Sequence, residues 1–441
     1  MSLEQALSNM RARNEALMAS DDDIRQRESE RAAAKGLRAP LVELDLRYNI
    51  LNDPVAIRIG RLGVEVQTEY FWKGEATATM PLYAGGRIAA ANEAAGARVA
   101  EAHAERDRTD DELVTELAQR YFGVCLAKRA LEVQQLKVKT MEQQSYRAKR
   151  LMEEGIISRA ECLNAEVALA NARVECDASA RDVSIVSEGL SNIVVSDGPI
   201  DPSTPLFILR NLEPCEVFQQ RVDEGHPVMN LLDAKHHLAE QGVRAEHGER
   251  KPTVYLFGMH ELVPRDLTLL DPKWAAGVGA KFTLFDGFQA RNKVEAARAQ
   301  EQKVTHLQSK YRRDLKSLVL KRYEEMAKAI EQYDGLESTL ELTKENLRVR
   351  TRAFEEGLAT SLEVVDATLT LARAELGRYK AAYDFDTAFF QLLEASGSTE
   401  QLSQYMAKSV AVQEHEWVAA LQSSAATTAN GIHPTEAKES Q

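Results

Sequence analysis

Two long stretches of the chain place apolar residues along one face of a helix. In the second half these positions recur about every 3.5 residues, the period of a coiled-coil seam. They are Leu315, Val319, Tyr323, Met326, Ile330, Tyr333 and Leu340. The same pattern stands 202 positions earlier at Leu113, Leu117, Tyr121, Val124, Lys128, Leu131 and Val138. Only Lys128 is polar, and its stem can lie along the seam with its charge in water. The pattern predicts one long helix in each half.

Short motifs repeat at the same spacing. Residues 82–85 (LYAG) return as 284–287 (LFDG), and residues 150–155 (RLMEEG) return as 352–357 (RAFEEG), both 202 positions further on. A repeat of this length is too long for a solenoid unit and indicates duplication of a whole structural half. The two halves are therefore expected to be related by pseudo-symmetry.

Each long helix is followed by a turn and by a helix that runs back. Gly155 and Gly357 favour a left-handed cap at the end of the outgoing helix, and Ser158 and Thr360 can cap the start of the return helix. The return helices carry matching apolar positions at Ala160, Leu163, Val167, Ala170 and Val174, and at Leu362, Val365, Leu369, Ala372 and Leu376. The predicted helices are residues 86–154, 158–195, 287–356 and 360–395, with shorter ones at 3–35 and 214–250.

Between the helices the apolar positions alternate with a period of two, as in strands. This holds for residues 42–50, continuing through 55–59, for 75–80, for 253–262 and for 275–285. The pattern predicts four strands per chain, the last two joined by the turn-rich segment 264–273. A four-stranded sheet with two open edges is prone to aggregate unless oligomerisation closes it. Ten-residue strands with one apolar face fit a membrane-spanning barrel, although a small water-soluble sheet covering a core also fits.

Composition and charge exclude several other classes of protein. The net charge is −13 and no basic block stands out, which argues against a nucleic-acid partner. The four cysteines form no CxxC pair, and no nucleophile–base pair, phosphate loop or metal-ligand cluster is visible. We therefore expect no enzyme activity, no metal and no cofactor. No run of eighteen apolar residues occurs. The first residues form a polar amphipathic segment without the pattern of a signal peptide, so we expect either a protein soluble inside the cell or a sequence that starts after its targeting segment.

The combination resembles the outer-membrane efflux family, the TolC-like exit ducts. The resemblance rests on the strand-to-helix junctions at 81–86 and 282–287, the tips at 155–158 and 357–360, and the helix-to-strand entry at 252–254. It implies a mainly α fold with a small β part. Duplicated long antiparallel helical hairpins would form a trimeric α-barrel, and four strands per chain would contribute to a 12-stranded transmembrane β-barrel. The implied partners are two further copies, a periplasmic adaptor (membrane-fusion) protein, an inner-membrane transporter and outer-membrane lipid.

The resemblance also implies a division of the chain. Residues 1–39 would be an N-terminal periplasmic helix, 40–85 the first strand pair and 86–196 the first hairpin. Residues 197–251 would be an equatorial linker and helix, 252–286 the second strand pair, 287–397 the second hairpin, and 398–441 a C-terminal equatorial segment with a disordered tail. The implied role is passive export of substrates, in a tripartite efflux pump or a type I secretion system, from the bacterial outer membrane with a periplasmic extension.

Site residues follow from the resemblance at the hairpin tips. Gate or lumen positions would be Glu363, Asp366, Glu161 and Phe354, where three copies of each carboxylate around one axis would attract cations. Relatives often carry a Tyr and an Arg latch at this point, whereas this chain has Phe354 and Ala359. The adaptor would dock on Gly155, Ile156, Ile157, Ser158, Gly357, Leu358, Ala359 and Thr360.

Other interpretations remain open at this stage. The tip residues can instead pack against one another inside the turn, and Glu363 and Asp366 can lie on a solvated face near a helix start, where acids suit the helix dipole. The main alternative for the whole chain is a soluble coiled-coil scaffold whose strands cap a helical bundle. The polar start of the chain supports that alternative, and the duplicated strand-to-helix junctions oppose it.

Overall fold

Long helices and a small antiparallel sheet make up most of the chain. The computed structural model describes residues 1–59, 62–266 and 272–412. The helices in these residues are α1 Leu3–Arg13, α2 Glu15–Gly36, α3 Arg87–Glu153, α4 Arg159–Val194, α5 Cys215–Gly225, α6 Pro227–Glu249, α7 Gln289–Glu355, α8 Ser361–Ser396 and α9 Leu402–Met406. The strands are β1 Leu41–Ile50, β2 Val55–Ile59, β3 Leu62–Gln67, β4 Tyr70–Ala84, β5 Phe207–Ile208, β6 Thr253–Glu261, β7 Trp274–Lys281 and β8 Val410–Ala411. Most of the predicted tail lies outside the described residues.

The long helices confirm the predicted duplication. Both α3 and α7 have 67 residues, and both α4 and α8 have 36. The predicted seam positions of α3 and α7 are all buried or half-buried. Lys128 lies on this seam and forms an ion pair with Asp201, so its stem and its charge are placed as expected. None of the described helices combines the length and the apolar character needed to cross a membrane.

The two shorter predicted helices are each interrupted once. The first is divided at Asn14, whose side chain donates to the carbonyl oxygen of Ile193 at 3.3 Å. The second is divided at His226, which caps α6 by accepting the amide N–H of Val228 at 3.1 Å. Pro227 follows at the first turn of α6, where a missing amide N–H costs nothing. The helical period thus predicted the segments, but the polar side chains that divide them were not recognised.

The chain folds into two compact units. The first consists of Met1–Asn14, Asp111–Arg221 and the residues from Lys316 onward. The second consists of Glu15–Asp110 and Val222–Leu315. Each predicted hairpin is therefore shared between the two units, because the outgoing helices α3 and α7 contribute residues to both.

The first unit has an aromatic core. The rings of Tyr121, Phe122, Phe207, Phe385, Phe389 and Phe390 are all buried to at least 99 %. Asp386 is fully buried beside them, with one carboxylate oxygen 3.4 Å from the amide N–H of Phe207 and the other without a partner among the described residues. Burial raises the pKa of the Asp386 carboxyl well above its usual range.

The second unit contains the four-stranded antiparallel sheet, in the order β1-β4-β6-β7. One face is apolar and largely exposed, with Val42, Leu44, Leu46, Tyr48, Trp72, Leu256, Trp274 and Val278. The opposite face carries polar and charged side chains on β1 and β4, such as Asp45, Arg47 and Lys73, and the larger side chains Tyr255, Phe257 and Met259 on β6. The alternation along β1 confirms the two-faced strand predicted there.

Three strand predictions need correction. Residues 55–59 do not continue the first strand but form β2, which pairs with β3 in a separate hairpin. The descending strand β4 is longer than expected, because the aromatic residues from Tyr70 onward belong to it. Strand β7 ends at Lys281, so residues 282–285, predicted as strand, lie outside the ladder.

Candidate functional site

The two hairpin tips share one backbone geometry. Gly155 and Gly357 have φ angles of 75° and 73°, in the left-handed region that glycine adopts without strain. The amide N–H of Ile156 donates to the carbonyl oxygen of Leu151 at 2.8 Å, and that of Leu358 donates to Ala353 at 2.8 Å. These are the six-to-one bonds of a Schellman cap, so both glycine caps are confirmed.

The return helices begin at the predicted caps. The hydroxyl of Ser158 accepts the amide N–H of Glu161 at 3.3 Å. The hydroxyl of Thr360 accepts the amide N–H of Glu363 at 3.3 Å, and the Glu363 carboxylate accepts the amide N–H of Thr360 at 3.4 Å. The second tip therefore has a complete capping box, which fixes the Glu363 side chain against the helix start.

Part of the apolar tip surface is packed within the chain. Phe354, Ala148, Ala165 and Val364 form a buried cluster, and Ile157 and Ala359 pack against it together with Leu151 and Leu347. Phe354 is completely buried. It was expected to line the gate, but in this structure it fills the core between the two hairpins. An aromatic ring at a helix end is covered when neighbouring small residues leave room for it, as Ala148 and Ala165 do here.

The remaining apolar tip residues are exposed. Leu358 is 79 % exposed and Ile156 is 55 % exposed. The two tips lie side by side, since a Cβ added to Gly357 would be 3.6 Å from Cγ2 of Ile156. The result is a small apolar surface formed by equivalent residues of both repeats, here called the tip patch (Ile156 and Leu358).

Glu161 connects the two hairpins. Its carboxylate accepts the backbone N–H of Ser361 at 3.0 Å and lies 2.6 Å from the Ser361 hydroxyl oxygen. Ser361 is the first residue of α8 and is fully buried. The negative charge therefore sits at the positive end of the α8 dipole, which is a favourable position. The role of Glu161 at the tip was predicted from the resemblance, whereas the contribution of Ser361 was not.

The two predicted gate carboxylates of α8 have different surroundings. Glu363 forms an ion pair with Arg350 of α7 in addition to its capping bonds. Asp366 is exposed, and no ion pair of Asp366 occurs in the part of the chain that the structure describes. A second ion pair near the tip joins Arg147 of α3 to Glu355 of α7 at 2.7 Å. The ion pairs of Arg147, Arg350 and Glu355 were not predicted from the sequence, because a helical period does not show which surface charges meet across hairpins.

The sequence profile of a family described as "Outer membrane efflux protein" matches residues 6–194 and 224–398 of the chain. The match includes both hairpins, both strand pairs and both tips. The chain belongs to the outer membrane efflux protein family. It is an outer-membrane exit duct for efflux, with a periplasmic extension.

Solved structures show the same fold. A membrane protein from Pseudomonas aeruginosa is 15 % identical with a TM-score of 0.77, and the match covers 90 % of this chain and 93 % of that one. The outer membrane protein VceC from Vibrio cholerae is 14 % identical with a TM-score of 0.74, covering 90 % and 96 %. The MtrE outer membrane channel of Neisseria gonorrhoeae in its open state is 19 % identical with a TM-score of 0.74, covering 90 % and 88 %. A comparison with curated proteins found no match.

Proposed function

We propose that this efflux duct works as a homotrimer whose hairpin tips dock on a periplasmic adaptor, which connects it to an inner-membrane transporter. The observation that carries the docking assignment is the tip patch. Its neighbours Ile157 and Ala359 are packed into the core, whereas Ile156 and Leu358 remain exposed at the end of the molecule's first unit. Exposed apolar side chains at a fixed, capped turn favour a surface that a partner covers.

A second exposed stripe supports the trimer. On α4 three of the matching apolar positions, Leu163, Val167 and Val174, point to solvent, with Val174 69 % exposed. The face of α4 that packs within the chain is instead formed by the small residues Cys162, Ala165 and Ala172. A helix with one small-residue face and one larger apolar face can pack on both sides, and the second side is open in a single chain. Neighbouring copies around a three-fold axis would cover it.

The docking assignment is tested by Leu358→Asp, with Leu358→Met as the matched control that keeps the apolar surface. A carboxylate in a desolvated contact is costly, so we expect Leu358→Asp to abolish efflux of a fluorescent dye from cells while trimer levels stay normal. Leu358→Met should retain efflux. A photo-reactive residue at position 358 should crosslink to the adaptor. Full efflux by Leu358→Asp at normal trimer levels would contradict docking at this patch.

Of the two predicted gate carboxylates on α8, we propose that Asp366 provides most of the negative charge in the channel and that Glu363 provides less. The Glu363 carboxylate is shared among Arg350, the amide of Thr360 and its hydroxyl, so much of its field is neutralised locally. Asp366 has no such partner among the described residues, and three copies around one axis would form an acidic ring. Glu161 contributes differently, since α8 can move away from the first hairpin only if this carboxylate loses its two contacts with Ser361.

Single-channel recording in a planar bilayer tests the gate assignment. Asp366→Asn should reduce cation selectivity clearly, because it removes three unpaired charges per trimer. Glu363→Gln should reduce it less, because the charge that it removes is already paired. Equal selectivity of both variants and the parent channel would place the two residues on an ordinary solvated helix face.

A further inference from the structure

The pairing of β1 with β4 is repeated, residue by residue, in the pairing of β6 with β7. Within the first pair, Leu41 lies opposite Thr79 and Tyr48 lies opposite Trp72. Within the second pair, Thr253 lies opposite Lys281 and His260 lies opposite Trp274. Adding 212 to the residue numbers of β1 and 202 to those of β4 reproduces the pairing of β6 with β7 at all eight residues of β7. The two strand pairs are therefore structural copies.

Among the described residues, the two strand pairs contact each other once. Strand β4 of the first pair lies against β6 of the second, with Thr79 opposite Phe257 and Ala84 opposite Thr253. The outer strands β1 and β7 form the two edges of this sheet. If copies of the chain close the sheet, β7 of one copy meets β1 of the next. By the repeat, this junction is the equivalent of β4 against β6.

The internal junction therefore supplies a template for the junction between copies. We infer that β7 of one copy pairs with β1 of the next. The register is that of β4 with β6 after 202 is added to the residue numbers of β4 and 212 is subtracted from those of β6. This inference rests on the proposed homotrimer and adds its register. The resulting pairs, with β7 first, are Val278 with Tyr48, Gly279 with Arg47, Ala280 with Leu46, Lys281 with Asp45, Phe282 with Leu44, Thr283 with Glu43, Phe285 with Val42 and Asp286 with Leu41.

The side chains fit this register on both faces of the sheet. On the apolar face, Val278, Phe282 and Phe285 come opposite Tyr48, Leu44 and Val42, all of which are exposed in the single chain. On the polar face, Lys281 comes opposite Asp45. Arg47 comes opposite Gly279, where the ring of Tyr255 from β6 occupies the space above the glycine. A slip by one residue would turn the apolar positions of β1 to the polar face, which a one-sided sheet excludes.

The register also accounts for the early end of β7. Strand β4 continues to Ala84 because its last residues pair with β6, with a bulge between Pro81 and Tyr83 that leaves out Leu82. The equivalent residues 282–286 form no strand in the single chain, where β6 is on the other side of β7. Leu284, the equivalent of Leu82, is 88 % exposed. Pairing with β1 of the next copy would extend β7 to the length of β4, with the bulge at Leu284.

Charge complementarity alone does not select the register, so the experiment must distinguish the registers by the distance between residues. A slip by two residues in one direction puts Lys281 opposite Glu43, which is also acidic, and in the other direction opposite Arg47. Cysteine pairs separate these cases. Directly opposite residues on antiparallel strands have Cβ atoms about 4.5–5.5 Å apart, whereas diagonal neighbours are about 7–8 Å apart. A disulfide requires Cα atoms closer than about 7 Å.

The test uses the full chain without its four free cysteines, Cys125, Cys162, Cys176 and Cys215, each replaced by alanine. Lys281→Cys is combined in turn with Asp45→Cys, Glu43→Cys and Arg47→Cys. After mild oxidation in the membrane, we expect covalently linked copies on a non-reducing gel to be several-fold more abundant with Asp45→Cys. Ala280→Cys with Leu46→Cys serves as a second in-register pair, because neighbouring antiparallel pairs alternate between a wider and a closer spacing.

The outcomes test the proposed register and the proposed homotrimer separately. If the native mass is that of a trimer and Glu43→Cys or Arg47→Cys gives the strongest link, the register is wrong and the proposed function stands. If the native mass is that of a monomer and no pair links, the homotrimer fails and the inference fails with it. A charge exchange gives an independent readout: Lys281→Glu should lower the trimer yield, and adding Asp45→Lys should restore it. No restoration would contradict the pairing of these two residues.

Discussion

The aromatic core of the first unit and the apolar face of the sheet use the same kinds of side chain in opposite ways. Phe389 is completely buried and contacts the rings of Phe385 at 6.2 Å, Phe390 at 5.7 Å and Tyr405 at 5.5 Å between centroids. Leu46, in the middle of β1, is 58 % exposed. The first surface is covered by the chain itself. The second is exposed in the single chain, and in the proposed trimer lipid and neighbouring copies would cover it.

This difference separates folding from assembly. Tyr405 shows how thoroughly the first unit is closed: its hydroxyl donates to Glu213 at 2.6 Å and accepts from Arg221 at 2.9 Å, so that α9 is tied to α5. No comparable closing contact covers the apolar face of the sheet in the described part of the chain. Substitutions in the core should therefore change the stability of the single chain, and substitutions on the sheet face should change insertion.

The largest expected effect is that of Phe389→Ala. Removing a fully buried phenylalanine leaves a cavity and typically costs about 3–5 kcal/mol, of the same order as the whole stability of many domains. Urea unfolding in detergent, followed by circular dichroism, should show a much lower midpoint. Leu358→Ala, at an exposed position of the same unit, is the control and should change the midpoint little. Equal midpoints for both variants would mean that this core does not hold the unit together.

Local patterns predicted most of the elements, because period, caps and turns are set by residues close together in sequence. The seam of α7, the glycine caps at Gly155 and Gly357 and the alternation in β1 were all predicted in this way. Equal lengths of α3 and α7 also followed from the repeat. The tips and the gate acids needed the resemblance to a family as well, since no spacing within the chain identifies a docking surface.

What the sequence did not reveal depends on contacts between distant segments. Asp386 would be placed on a helix surface by its charge, but Phe207 and the neighbouring rings bury it. The packing of Phe354 and the hydrogen bonds that Ser361 donates to Glu161 join residues about 200 positions apart, and no local pattern reports such a contact. The end of β7 at Lys281 was not predicted for a different reason, because residues 282–285 have a strand pattern but no partner strand in the described part of the chain.

A smaller effect, on assembly and not on folding, is expected for Leu46→Arg. In water an arginine at an exposed position costs little, but on the lipid-facing side of a barrel near mid-membrane it costs about 2–4 kcal/mol. The control is Thr77→Arg on the polar face of the same sheet, where the charge would face the lumen. Folding into lipid vesicles, titrated with urea, should be weakened by Leu46→Arg and nearly unchanged by Thr77→Arg. If Thr77→Arg were the more damaging variant, the two faces of the sheet would have been assigned the wrong way round. If both variants folded like the parent chain, the exposed leucines of β1 would not face lipid. The claim that the sheet, unlike the aromatic core, is covered by its surroundings would then be wrong.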